Sequence, residues 1–170
     1  MLAQVPYPFL PRHLTLVGSL TIGIPAFFLA LAPNVERARP NFVARVLRFA
    51  IPAGVLACGA TITSYLLARG VYGGNLDAET SAATLTLFLL TLWVLAVIAR
   101  PYTWWRILLV LAVATAFAVV LAVALLQEFF QLVLVGVRAP WIAVALAAAA
   151  GVLLEVSWAG IGRGARSRIG

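Results

Sequence analysis

Residues 82–99 read AATLTLFLLTLWVLAVIA, eighteen positions without a charge, closed by Arg100-Pro101. A membrane-spanning helix needs about 20 mostly apolar residues. The run is continuous rather than alternating apolar with polar, which favours a helix over a barrel strand. Proline disfavours helix in the residue before it, so Arg100-Pro101 ends the run sharply. Four more windows of the same character lie on either side, at about 14–32, 46–68, 107–126 and 141–160. The chain is predicted to be an all-α membrane protein, a bundle of about five transmembrane helices within 14–160. Residues 1–13 read as an extended extracellular lead-in, and 161–170 as a basic cytoplasmic tail.

Composition agrees. Of the 170 residues, 64% are hydrophobic and 10% charged, and the mean hydropathy is +1.08. A soluble domain is about half apolar and about a quarter charged, and one of this length has too small an interior to hide the excess. Lipid is the expected solvent. The net charge of +7 comes from twelve Arg and no Lys, placed between apolar runs. They form no basic face, so nucleic acid is not an expected partner. Cys58, the only cysteine, sits in an apolar run with no Cys or His at ligand spacing, and reads as a small buried hydrophobe.

Arginine placement sets the expected orientation. Arg37, Arg39, Arg45, Arg48, Arg100, Arg106, Arg163, Arg166 and Arg168 fall on one side, and only Arg12, Arg69 and Arg138 on the other. Nine against three puts the N-terminus outside and the C-terminus in the cytoplasm. Trp141 and Trp158, about 26 Å apart along a helix, bracket the last window as interfacial anchors. Residues 129–137 are apolar but too short to cross, so they either lie at the interface or extend the fourth helix.

The catalytic inventory is thin. His13 is the only histidine, placed at the outer lip beside Arg12 with no acid nearby to make an acid–base pair. No phosphate-binding glycine loop is present. Glu155 is the one candidate intramembrane carboxylate, close enough to the cytoplasmic interface to reach headgroups or pair with Arg163. Thr61, Thr63, Ser64, Thr84, Thr86 and Thr91 are expected to bond their own helix carbonyls or join helices.

The first window differs. Gly18-Ser19-Leu20-Thr21-Ile22-Gly23-Ile24-Pro25 concentrates two glycines, two hydroxyls and a proline. Pro25 has no N–H for the Thr21 carbonyl one turn earlier. Freed backbone in a membrane is tolerated where it is buried in protein or lines a watery cavity. The helix is expected to be irregular from Gly18 to Pro25, either as a simple kink or as part of an ion pathway.

On these residues the chain resembles the C-terminal membrane region, helices six to ten, of P-type cation-transporting ATPases. The stretch from Leu10-Pro11 through Pro25 to Pro33-Asn34 looks like the family's sixth membrane helix. Calcium pumps there read Asn-x-x-Thr-Asp-Gly-x-Pro. Pro11 and Pro25 fall at the family's separation, and Thr21, Gly23 and Pro25 match the motif. The nearest likeness is to actinobacterial calcium-type pumps that read Leu-Thr-Ile-Gly-Ile-Pro.

The resemblance implies an ion-pathway site at Gly18, Thr21, Ile22, Gly23 and Pro25. Ile22 occupies the family's carboxylate position and Gly18 its amide position, so Thr21 is the one candidate side-chain ligand, and no metal site is complete. Hard cations want several oxygens, preferably charged, and these are expected from helices four and five, which this chain lacks. The phosphorylation motif Asp-Lys-Thr-Gly-Thr and the nucleotide-binding and actuator domains are likewise absent.

No enzyme activity is therefore expected of the chain on its own. As implied by the resemblance, it is a C-terminal fragment, a split subunit or a degenerate descendant of a calcium pump. ATP and Mg²⁺ would serve the full pump, and calcium is the implied cargo. The expected partners are the lipid bilayer of a bacterial plasma membrane and the pump's catalytic half. The alternative is a free-standing accessory membrane protein that reuses the fold.

Overall fold

The computed structural model describes residues 9–31, 42–73, 75–100, 103–132 and 138–166, the last as backbone alone at both ends. The expected lead-in up to residue 8, the Pro33–Pro40 linker, residues 133–137 and the final four residues lie outside the described part. Among the described residues every regular element is helical. In order these are α1 Pro11–Gly18, a π-helical turn Ser19–Gly23, α2 Ile24–Leu31, α3 Phe42–Tyr72, α4 Leu76–Ile98, α5 Trp104–Ala122, α6 Ala124–Phe130 and α7 Arg138–Arg166.

Four stretches are long and apolar enough to cross a bilayer: Pro11–Leu31, Val46–Tyr72, Leu76–Ile98 and Trp104–Ala122. A shorter apolar helix, Trp141–Glu155, joins them. The protein is an all-α, multi-pass membrane bundle. Its outward faces carry large apolar side chains, such as Ile51, Val55, Leu111 and Val152, as expected where lipid is the solvent.

The central helix is α4, packed against α1, the π turn, α3, α5 and α7. On its α1 and α5 sides, Leu85, Phe88 and Leu95 form the main core with Leu16, Val17, Val113, Phe117 and Val120. The Phe88 and Phe117 rings stack at 3.6 Å between centroids. Toward α3 and α7 the contacts use small residues, Ala68 against Ala82 and Leu90 against Ala147 and Ala150. Small side chains let helix backbones approach closely where no hydrophobic force separates protein from solvent. Gly151 is the extreme case, since a Cβ there would lie 3.0 Å from the Trp93 ring.

Several boundaries differ from the sequence expectation for physical reasons. The first helix starts at Pro11, whose fixed φ and missing N–H suit the first helical position. The third begins at Leu76 rather than 82, because Asn75 Oδ1 accepts the Ala78 N–H as an N-cap, and Asp77 and Glu79 suit the positive helix end. Gly73, at φ 59°, closes α3 as a left-handed terminus. The fourth window breaks at Val123, ψ 114°, and α6 follows as a separate short helix. The Gln127 side-chain amide donates to the Leu121 carbonyl across this break. The last helix runs on to Arg166, into the region read as a tail.

Candidate functional site

In the first span the Ile24 N–H reaches the Ser19 carbonyl, five residues back instead of four. This widens the turn by one residue, and single π turns of this kind are frequent at functional sites. Pro25 follows immediately, so the residue that cannot donate sits where the ladder is already changed.

The five residues read from the sequence divide between two faces. Thr21 and Pro25 are buried against the chain's own bundle, and Gly18 is half-buried. The Thr21 hydroxyl donates to the Val17 carbonyl at 2.7 Å, tying the π turn to α1. Ile22 is 65% exposed and Gly23 is also exposed, both on the side that no described helix covers. Ile24, Phe27 and Leu31 are exposed as well.

At the Pro11 end, two side-chain N–H donors meet the C-terminal carbonyls of α6. Arg12 Nη1 donates to the Phe129 carbonyl and His13 Nε2 to that of Phe130, both at 2.8 Å. Gln131, left-handed at φ 51°, stops α6 and leaves those carbonyls free to accept. His13, expected at an interfacial lip, is fully buried, and its Nδ1 has no partner.

At the opposite end Glu155 pairs with Arg100 at 2.7 Å between two half-exposed side chains; the Arg163 side chain lies outside the described part. The link spans 55 positions and ties the end of α4 to α7. Cys58, expected inside, is exposed on α3.

The hydroxyls follow both expected patterns. Thr63, Thr84 and Thr91 bond carbonyls of their own helices. Ser64 donates to the Ala82 carbonyl at 3.3 Å, and Thr86 to Ser64 Oγ at 2.7 Å, which joins α3 to α4.

The same seam holds the residue that the sequence reading missed. Glu79, three residues ahead of the uncharged run at 82–99, lies in the first turns of α4 and is 0% exposed. Tyr65, 2% exposed, lies within electrostatic reach of Glu79 and Arg69. The available signal was Asn75 as a helix cap, which puts Glu79, Ala82, Ala83 and Thr86 on one helical face. No group of three or more His, Cys, Asp or Glu able to hold a metal is found among the described residues.

Over 155 residues, 89% of its length, the chain is 43% identical to the calcium-transporting ATPase CtpE of Mycolicibacterium smegmatis. It is 44% identical over 155 residues to the proteins of that name from Mycobacterium bovis and Mycobacterium tuberculosis. This chain is related to part of the mycobacterial calcium-transporting ATPases. It spans about a fifth of the length of these relatives. No family model matches it, and no solved structure does. The resemblance read from Pro11, Thr21, Gly23 and Pro25 is thus supported across most of the chain.

Proposed function

We propose that this chain is membrane-embedded transport machinery of an ATP-driven calcium pump, and that nucleotide binding and phosphorylation belong to polypeptide outside these 170 residues. The observation that carries the reading is the π turn at Ser19–Gly23, with an uncovered face, in a chain 43–44% identical to calcium-transporting ATPases. The ion passes along that uncovered face, between Ile22 and Gly23 and the oxygen-bearing helices of the rest of the pump. Thr21 acts as a positioning residue, holding the turn through Val17. ATP and Mg²⁺ act on the catalytic half. The nine-to-three arginine asymmetry supports a bacterial plasma-membrane orientation with the N-terminus outside.

A second reading, a free-standing accessory protein, is favoured by one observation: the core around Phe88 and Phe117 closes without any outside helix. Co-expression with the polypeptide that carries the phosphorylated aspartate separates the two. Inverted vesicles should take up ⁴⁵Ca²⁺ on ATP addition only when both are present, and the chain alone should form no acyl-phosphate. Equal uptake without this chain contradicts the pump reading and leaves the accessory one.

A further inference from the structure

Two stripes of side chains converge on one ion pair. On α4, Leu89, Trp93, Ala96 and Arg100 recur at helical spacing, and on α7 so do Val144, Ala148, Gly151 and Glu155. The stripes lie side by side, because Gly151 packs on the Trp93 ring and Arg100 pairs with Glu155. Between them, with Val110 of α5 as a third wall, runs an apolar groove of about 300 Å³. It opens to the outside of the bundle, where Trp93, Val144 and Ala148 are exposed. Trp93 is 40% exposed yet lies seven residues, about 10 Å, inside Arg100. That is deeper than the interfacial belt where Trp anchors sit.

The groove has the length of one leaflet. From Leu89 to Arg100 is eleven residues, about 16 Å of helix, against about 15 Å for half the hydrocarbon core. Its mouth is charged. Arg100 is half-exposed, with one guanidinium nitrogen on Glu155, and a guanidinium carries five N–H donors in a fixed fork. Arg106 stands one turn before Val110 on the same face of α5. It reaches toward the end of α4, where its Nη1 lies 3.5 Å from the Ala99 carbonyl. Two arginines against one glutamate leave one net positive charge at the mouth.

We propose that the groove between α4, α5 and α7 holds an acyl chain of one anionic phospholipid, with its phosphate at Arg106 and Arg100. An apolar slot one leaflet long, under a cationic mouth, matches that molecule in both length and charge. Basic pockets between membrane helices bind anionic headgroups, and Arg suits phosphate through paired N–H donors. Glu155 sets the selectivity. By balancing Arg100 it leaves Arg106 as the net charge, and it fixes the ends of α4 and α7 at the width of the mouth. The site rests on the membrane bundle alone and not on the pump reading.

The test is native mass spectrometry of the full chain in neutral detergent, titrated with phosphatidylglycerol or phosphatidylcholine of the same acyl chains. One net positive charge should give about a fivefold preference for phosphatidylglycerol at the first bound lipid. Arg106→Gln leaves Arg100 and Glu155 balanced and should abolish that preference. Glu155→Gln should raise it to about twenty-five-fold, a change that loss of a merely structural ion pair would not produce. Ala148→Phe, at an exposed position on the wall, should weaken retention of both lipids by filling the groove. Should Glu155→Gln fail to fold, the unaltered chain, Arg106→Gln and Ala148→Phe decide. Equal retention of the two lipids by the unaltered chain, or retention unmoved by Ala148→Phe, overturns the site and leaves the transport reading standing.

Discussion

Deleting Ile22 should regularise the first helix without dismantling the bundle, which is an unusual expectation for a single-residue deletion inside a span. Val17 and Leu29 both pack on the main core, with buried Thr21 and Pro25 between them. Twelve residues of regular α-helix turn through about 1,200°, carrying Leu29 about 120° past the face of Val17. The extra residue taken up by the π turn offsets about 100° of that drift. Removing Ile22, whose side chain is largely exposed, leaves eleven residues and a drift of only about 20° in an unbroken α-helix. The cost is that Pro25 then sits in a regular helix interior, worth about 3 kcal/mol. The deletion alone should therefore destabilise the detergent-solubilised chain by about 3 kcal/mol. Combined with Pro25→Ala, it should return to within about 1 kcal/mol of the parent. Without an absorbed residue, either deletion would swing Pro25 and Leu29 off the core, a loss of about 2–5 kcal/mol. Denaturant unfolding followed by far-UV circular dichroism reads the difference. A double variant as unstable as the single deletion would refute the π-turn reasoning.

Two other tests concern the packing around α4. Gly151→Ala sets a methyl 3.0 Å from the Trp93 ring and should cost about 1–3 kcal/mol, offset by about 1 kcal/mol of helix propensity. In a Trp93→Ala background the same change should become stabilising, and a thermal-melt double-mutant cycle shows whether the sign reverses. Ser64→Ala and Thr86→Val should couple by about 0.6 kcal/mol, the size typical of interhelical hydrogen bonds in membranes. Additive effects in the same unfolding assay would mean that the α3–α4 bond contributes nothing.

The spans were legible because a long uncharged run leaves the backbone few alternatives to helix in lipid. The irregular turn was legible too, because Pro25 withholds an N–H and the glycines before it weaken the helix. Other features depend on contacts that sequence spacing does not encode. Val123 breaks α5 inside AVVLAVALL, residues 118–126, which contains neither glycine nor proline. Glu155 lies nearer Arg163 in sequence, but its ion pair is with Arg100, on a different helix. Glu79 stands three places before the apolar run at 82–99, where an acidic residue is usually solvated. Only the Asn75 cap draws it into α4, where α3 covers it. In the candidate site, the residue types pointed to Thr21, Gly23 and Pro25. Which of them face inward depended on the π turn itself, since a regular helix would have rotated the set.

The most direct measurement is the calcium dependence of ATP-driven ⁴⁵Ca²⁺ uptake by the reconstituted pump, with Ile22→Asp, Thr21→Val and Thr21→Ser compared at equal amounts of folded protein. Ile22→Asp puts a carboxylate on the uncovered face of the π turn and should lower the half-saturating calcium concentration by about tenfold, because ligand charge tunes calcium affinity. Thr21→Val, which loses the bond to Val17, should raise it, and Thr21→Ser should restore it. Unchanged calcium affinity in all three variants, with stability alone altered, would contradict the assignment of this turn to the ion pathway.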